Sequence, residues 1–197
     1  MMRVPVSSVT HSPYLFRAGL VTEVLNLRPY NSATGVYFDS EMTRNLRLGM
    51  TAVSTIDTTL ELGLHLQRRI WAYGNISFSL GFQDFVFSLS NGKLSTNPDL
   101  LSFIGVISSE QLIGSYKLRS FLGIGTGALA GATATVDTST QLTLGVYAGF
   151  LLKTPIFAKW GGLDVIGEFD GRGLNLGLRL PIFSDYHLLL GFVHVNN

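Results

Sequence analysis

The chain has 197 residues, enough for one domain with its own core, and a formal net charge of +1. Charged residues are 14% of the total against about 25% in an ordinary soluble domain, while hydrophobic residues reach 46%. That balance excludes a disordered chain and a coiled coil, and the scattered Lys and Arg exclude a nucleic-acid surface. Lysine is confined to Lys93, Lys117, Lys153 and Lys159. With no cysteine there is no disulfide, thiolate metal site or cysteine nucleophile. The start, Met1 to Ser8, has no apolar signal-like core.

In chain order, Tyr14–Leu27 reads as a first strand. Arg28–Ser40, with Pro29, Asn31 and Gly35, reads as a loop or as a plug entering a barrel, so residues 1–40 form an N-terminal segment before a barrel over 41–197. From there strict two-residue alternation takes over, the period of a strand with one apolar face. Leu46, Leu48, Met50 and Ala52 alternate with small or polar residues, as do Leu60, Leu62, Leu64 and Leu66, then Ile76, Phe78, Leu80 and Phe82. Tyr116, Leu118, Leu122 and Ile124 lie opposite Lys117, Arg119, Phe121 and Gly123. Leu144, Val146 and Phe150 lie opposite Gly145, Tyr147 and Gly149, and Leu174, Leu176, Leu178 and Leu180 opposite Gly173, Asn175, Gly177 and Arg179. Asn91-Gly92, Asn97-Pro98-Asp99, Gly161-Gly162, Asp170-Gly171 and Ser184-Asp185 punctuate these runs. At Asp170-Gly171 both residues suit positive φ and a tight hairpin.

The expected fold is all-β: an up-and-down antiparallel barrel of about eight to ten strands. No helix-period segment competes. Its polar face carries Gly, Ser, Thr and Asn with charges of both signs, which suits a crowded lumen better than a solvated surface. A transmembrane barrel with the apolar face outward follows. The lumen network expected is Arg47, Glu61, His65, Lys117, Arg119, Asp164, Glu168, Arg172, Asn175 and Arg179, in a structural role. Within it, Arg172 and Arg179 bracket Glu168 and Asp164, and Glu168 falls across from Gly173. Trp71, Tyr73 and Trp160, at strand ends, form an aromatic girdle.

Residues 167–179, Gly-Glu-Phe-Asp-Gly-Arg-Gly-Leu-Asn-Leu-Gly-Leu-Arg, resemble the E-[YF]-D-G-R-x-x-N-x-G-x-R hairpin of YjbH-like bacterial outer-membrane β-barrel proteins. Leu80-Gly81-Phe82-Gln83-Asp84 and Phe121–Gly127 are similar to elements of related barrels, and the resemblance spans roughly residues 40–195. It implies the bacterial outer membrane, with the bilayer, lipopolysaccharide and envelope proteins as partners and, in some members, a link to exopolysaccharide export. Such barrels usually end in an aromatic residue, whereas this chain ends His194-Val195-Asn196-Asn197.

Other chemistries are weaker. Gly123-Ile124-Gly125-Thr126-Gly127-Ala128 matches G-x-G-x-x-A but lacks the βαβ context and the acid about 20 residues on. Ser120–Val136 is uncharged but short and Gly/Thr-rich for a membrane helix. His11, His65, His187 and His194 show no metal spacing. There is no G-x-S-x-G elbow, so His65 is expected to make a lumen hydrogen bond rather than serve a hydrolase. No catalytic residue, cofactor or metal is expected. The leading role is a structural or accessory envelope barrel. The alternatives are a narrow channel, a membrane-interface lipid hydrolase and a soluble barrel holding an apolar ligand.

Overall fold

A computed structural model describes residues 16–27, 30–55, 60–90, 93–97, 101–130, 144–183, 185–193 and 195. Twelve strands account for nearly all of them: β1 (Phe16–Leu27), β2 (Tyr30–Glu41), β3 (Leu46–Thr55), β4 (Leu60–Tyr73), β5 (Ile76–Ser90), β6 (Lys93–Asn97), β7 (Ser102–Ile113), β8 (Tyr116–Gly125), β9 (Gly145–Lys153), β10 (Asp164–Phe169), β11 (Leu174–Phe183) and β12 (Tyr186–Phe192). They form one antiparallel sheet in the order β1-β2-β3-β4-β5-β7-β8-β9-β10-β11-β12, with β6 paired to β5. The all-β, up-and-down reading therefore holds. Among the described residues the path ends at β1 and β12 and is not closed.

Two expectations change. The described residues hold twelve strands rather than eight to ten, because β2, β6 and β7 carry no clean alternation. Residues 30–40 form a strand instead of a loop or plug, with 28–29 outside the described residues: β2 pairs with β1 from Phe16↔Ser40 to Leu27↔Tyr30, over a register irregularity between Val24 and Asn26. Gly35 sits inside β2, where a Cβ would meet Ala52 O at 2.7 Å. A close neighbouring strand, rather than a turn, accounts for that glycine. Asn91-Gly92, Pro98-Asp99, Ser184 and residues 131–143 lie outside the described residues. What is described after β8 is a single 3-10 turn, Gly127–Ala130, and no nucleotide-binding helix. Among the described residues no helix is long and apolar enough to cross a membrane, which says nothing of strands.

The chain divides into two compact units. The C-terminal unit holds Arg69–Ser79 and Ile104–Asn197, and the N-terminal unit holds Thr10–Arg68 and Leu80–Phe103. In the C-terminal unit the buried face is not purely small and polar. Ile104, Val106, Phe121, Leu129 and Tyr147 form an apolar cluster on it. Tyr147 is 0% exposed, and its hydroxyl donates to Gly105 O at 3.5 Å.

Glycine opposite an aromatic ring recurs as a packing unit. Gly123 pairs with Tyr147 and Phe121 with Gly149, reciprocally, on the buried face of β8 and β9. A Cβ on Gly149 would meet Phe121 Cζ at 2.6 Å, and one on Gly123 would collide with the Tyr147 ring. Each ring thus covers the backbone that glycine leaves bare, a cross-strand device that fixes register. Gly167↔Phe150 and, in the N-terminal unit, Gly19↔Tyr37 repeat it.

Candidate functional site: a buried charged face

On β10 and β11 the pleat sorts residues by chemistry. Asp164, Ile166 and Glu168 are buried on β10, and Asn175 and Gly177 on β11, while Leu174, Leu176 and Leu178 are exposed. Asn175 is 0% exposed and its neighbour Leu176 52%. A soluble sheet would bury the leucines. Here the polar residues are inside.

The buried charges are assembled by register. Asp164 lies across from Arg179, which donates to its Oδ2 through Nε at 2.8 Å and also through the terminal guanidinium nitrogen. On its other side Asp164 lies across from Lys153, and Lys153 in turn from Lys117. Glu110, on β7 opposite Arg119, takes Lys117 Nζ at 2.8 Å and Arg119 at 3.0 Å. Glu110 and Asp164 are both buried, whereas their cations are about one-third exposed or less on the side chain. Charge-assisted hydrogen bonds to buried carboxylates make these the firm contacts of the face.

Glu168 lies directly across from Asn175, not Gly173, because four residues rather than two connect the strands. Only Gly171 in that connection has positive φ, at 87°. Asp170 keeps an ordinary φ because its side chain caps the turn. Its Oδ1 accepts the backbone N–H groups of Arg172 and Gly173, both at 3.1 Å, and its Oδ2 accepts Asn175 Nδ2 at 3.0 Å. This is an Asx-type turn. Arg172 is exposed at the turn. Gly173-Leu174-Asn175 therefore serves hairpin geometry, with Asn175 locked by Asp170.

In the N-terminal unit Arg47 donates to Asp39 Oδ2 at 2.5 Å, and Arg17 approaches Glu41 at 3.7 Å. Glu61, half-buried on β4, lies across from Val53. His65, across from Gly49, has Thr51 Oγ1 3.2 Å from Nε2 and Asp84 on the other side of the ring. In outline that is a hydroxyl, an imidazole and a carboxylate in sequence. The hydrogen bonds run the wrong way for a nucleophile. The backbone N–H of Asp84 donates to His65 Nδ1 at 3.2 Å. Nδ1 is then the unprotonated nitrogen, Nε2 carries the proton of the neutral ring, and Nε2 donates to Thr51 instead of accepting from it. Asp84 reaches this position with a φ of 58°, a left-handed conformation inside a strand. His65 is a strut between β3 and β5.

Glu110, Asp39 and Asp84 complete these networks and escape a reading of sequence alone. The first sits on β7, where Ile104, Val106 and Ile107 put apolar residues on both faces and hide the alternation. Asp39 lies in the segment read as a loop. Asp84 could be suspected only as part of the Gln83-Asp84 element.

Of the expected aromatic girdle, Trp71 and Tyr73 lie at the end of β4, whereas Trp160 sits in a 3-10 turn, Ala158–Trp160, between β9 and β10. Trp71 stacks on Tyr73 with ring centres 6.3 Å apart, and Trp160 on Phe157 at 6.1 Å. In the N-terminal unit an apolar hollow of about 800 Å³ is lined by outward side chains such as Leu20, Val36, Phe38, Met50 and Leu62. Among the described residues no group of three or more His, Asp or Glu is placed to hold a metal ion. No family description, curated protein sequence or solved structure matches this chain.

Proposed function

We propose that this chain is a bacterial outer-membrane β-barrel with a structural or accessory role in the envelope. The observation that carries the reading is the inverted partition on neighbouring strands. Buried Asp164, Glu168 and Asn175 alternate with exposed Leu174, Leu176 and Leu178. Lipid is the solvent that accepts the exposed set without penalty. Strand length supports it as well: β1 to β5, β7 to β9 and β11 run 9 to 15 residues, and a tilted crossing needs about 9–11. The reading requires that every sheet edge find a partner within the hydrocarbon, because unpaired backbone groups there are costly.

A filled interior argues for a scaffold over a channel. The buried face of the C-terminal unit carries Tyr147, Phe121 and the two carboxylate–cation groups, bulk that would crowd the lumen of a closed barrel rather than line a passage. The resemblance of the 167–179 hairpin to YjbH-like barrels points the accessory role toward polysaccharide export. Two measurements test the proposal. Protein refolded with lipid vesicles should stay with them through a urea wash, and planar bilayers should show no sustained conductance. Release by the wash contradicts the membrane reading, and stable unitary currents contradict the scaffold role.

A further inference from the structure

Strand β5 changes face part-way along. Up to Phe82 its apolar residues sit at even positions, and from Phe85 to Leu89 its large outward ones sit at odd positions. Burial follows the same switch. Ser77 and Ser79 are buried and Leu80 is exposed, whereas further on Val86 is buried and Leu89 exposed. The switch falls at Asp84, whose left-handed φ of 58° is a conformation that bulges use to re-aim a strand. Beyond it Phe85 and Phe87 meet edge to face at 4.9 Å, and β5 pairs with β6 from Val86↔Asn97 to Ser90↔Lys93.

A non-glycine residue needs support to hold that conformation, and His65 supplies it. The backbone N–H of Asp84 donates to Nδ1 at 3.2 Å, while Nε2 of the same ring meets Thr51 Oγ1 at 3.2 Å. The two ring nitrogens thus answer to different strands. Nε2–H keeps its bond to β3 whether the ring is neutral or charged. Nδ1 accepts the β5 amide only while the ring is neutral, because an imidazolium has two donors and no acceptor. Asp84 Oδ1 stands 3.7 Å from Nδ1 and is the acceptor that a protonated Nδ1 would take. That contact runs through rotatable side-chain bonds, so it does not fix the backbone as the amide bond does.

The surroundings admit both states of the ring. The His65 side chain is 23% exposed, so a proton reaches it from water. The charged groups facing it are Asp39 from β2, Arg47 from β3 and Asp84 from β5, with Glu61 and Arg69 on the same face of β4. Asp39 and Arg47 pair with each other, and Asp84 is the carboxylate opposite Nδ1.

We infer that His65 is a proton-operated latch on the β5 bulge. The neutral ring holds the Asp84 amide; acidification releases it and frees the hairpin of β6 and the end of β5 to move. The bond is present while the ring is neutral and is lost as pH falls through the ring's titration. The inference concerns this hairpin alone and does not rest on the membrane reading.

The chain has no cysteine, so a single introduced one carries a spin label without background. Thr96→Cys, exposed on β6, reports the hairpin, and Ser120→Cys, exposed on β8, reports general loosening. Detergent-folded full chain is measured by electron spin resonance from about pH 8 to about pH 4.5, which spans histidine titration. The latch predicts an about five-fold rise in the mobile fraction at residue 96 on acidification, the loss of one net hydrogen bond, and no change at residue 120. Two substitutions separate the ring nitrogens. His65→Asn puts a carbonyl oxygen near the place of Nδ1 and cannot titrate, so residue 96 should stay held at both extremes. His65→Gln puts an amide nitrogen near the place of Nε2 and no acceptor at Nδ1, so the hairpin should be mobile at both. No pH response at residue 96 in the parent chain overturns the inference. So does an undiminished response in His65→Asn, or a hairpin still held in His65→Gln. An equal rise at residues 96 and 120 overturns it too, since that is acid loosening of the whole sheet.

Discussion

The two units use the same cross-strand device to different effect. In the C-terminal unit Tyr147 covers Gly123 and is fully buried, within a cluster that includes Phe121, Ile104 and Val106. In the N-terminal unit Tyr37 covers Gly19 in the same register relationship yet is 38% exposed. Among described residues that unit buries one large hydrophobic side chain, Val86, and relies on Arg47–Asp39 and the Thr51–His65–Asp84 strut. Register is thus set by glycine–aromatic pairing in both units, but packing energy accumulates in one. The stability of the sheet should be uneven, with β1 to β3 opening before β8 to β10.

Substitution of the paired tyrosines breaks the comparison most directly. Tyr147→Ala should cost about 3–5 kcal/mol, the range for an aromatic core truncation. Tyr37→Ala should cost less, about 1–2 kcal/mol, since only part of its surface is withdrawn. Urea titration of the detergent-folded protein measures both, and equal losses would show that burial is not what separates the units. Arg179→Met should cost about 3–5 kcal/mol by leaving buried Asp164 with its charge unanswered. Adding Asp164→Asn should recover much of that loss, because an amide needs no counter-charge. A double variant as unstable as the single would make the guanidinium's packing, and not charge, the source.

Gly123→Ala should destabilise by about 1–3 kcal/mol through overpacking against Tyr147, and Gly123→Ala with Tyr147→Phe should not relieve it, since the ring itself is in the way. The smallest effects sharpen the N-terminal side. His65→Ala should cost about 1 kcal/mol by removing the acceptor of the Asp84 amide. Asp84→Gly keeps that amide and relieves a left-handed φ, so it should be neutral or stabilising by about 1 kcal/mol. A clear loss in Asp84→Gly would transfer the role to the carboxylate and reopen the relay reading.

Sequence alternation exposed much of this architecture, and its failures have physical causes. In β11 the run from Leu174 to Leu178 alternates cleanly because one side is exposed and the other buried, and the structure separates them residue by residue. In β2 the sequence signals at Asn31 and Gly35 point to a turn. Gly35 is instead required by the close approach of β3, a demand that propensity does not encode. In β7 the buried positions Ile104 and Val106 are as apolar as exposed Ile107, so the period is lost and Glu110 with it. On β10 and β11 the buried Asp164, Glu168 and Asn175 were legible as residues of one face. Their pairings were not, because they depend on register. One changed connection length moves Glu168 from Gly173 to Asn175, and it is the Asp170 side chain that sets this length.

The central claim, that the apolar face of this sheet meets lipid and its charged face lies inside a barrel, is tested most directly by electrophoretic mobility. Detergent-folded protein is run in SDS without heating and after boiling. A closed membrane barrel keeps its hydrogen-bonded sheet in cold SDS, so the account predicts two distinct mobilities that merge on heating. A single mobility under both conditions, from protein that also stays monodisperse without detergent, would contradict it. The exposed leucines would then have to be covered by something other than lipid.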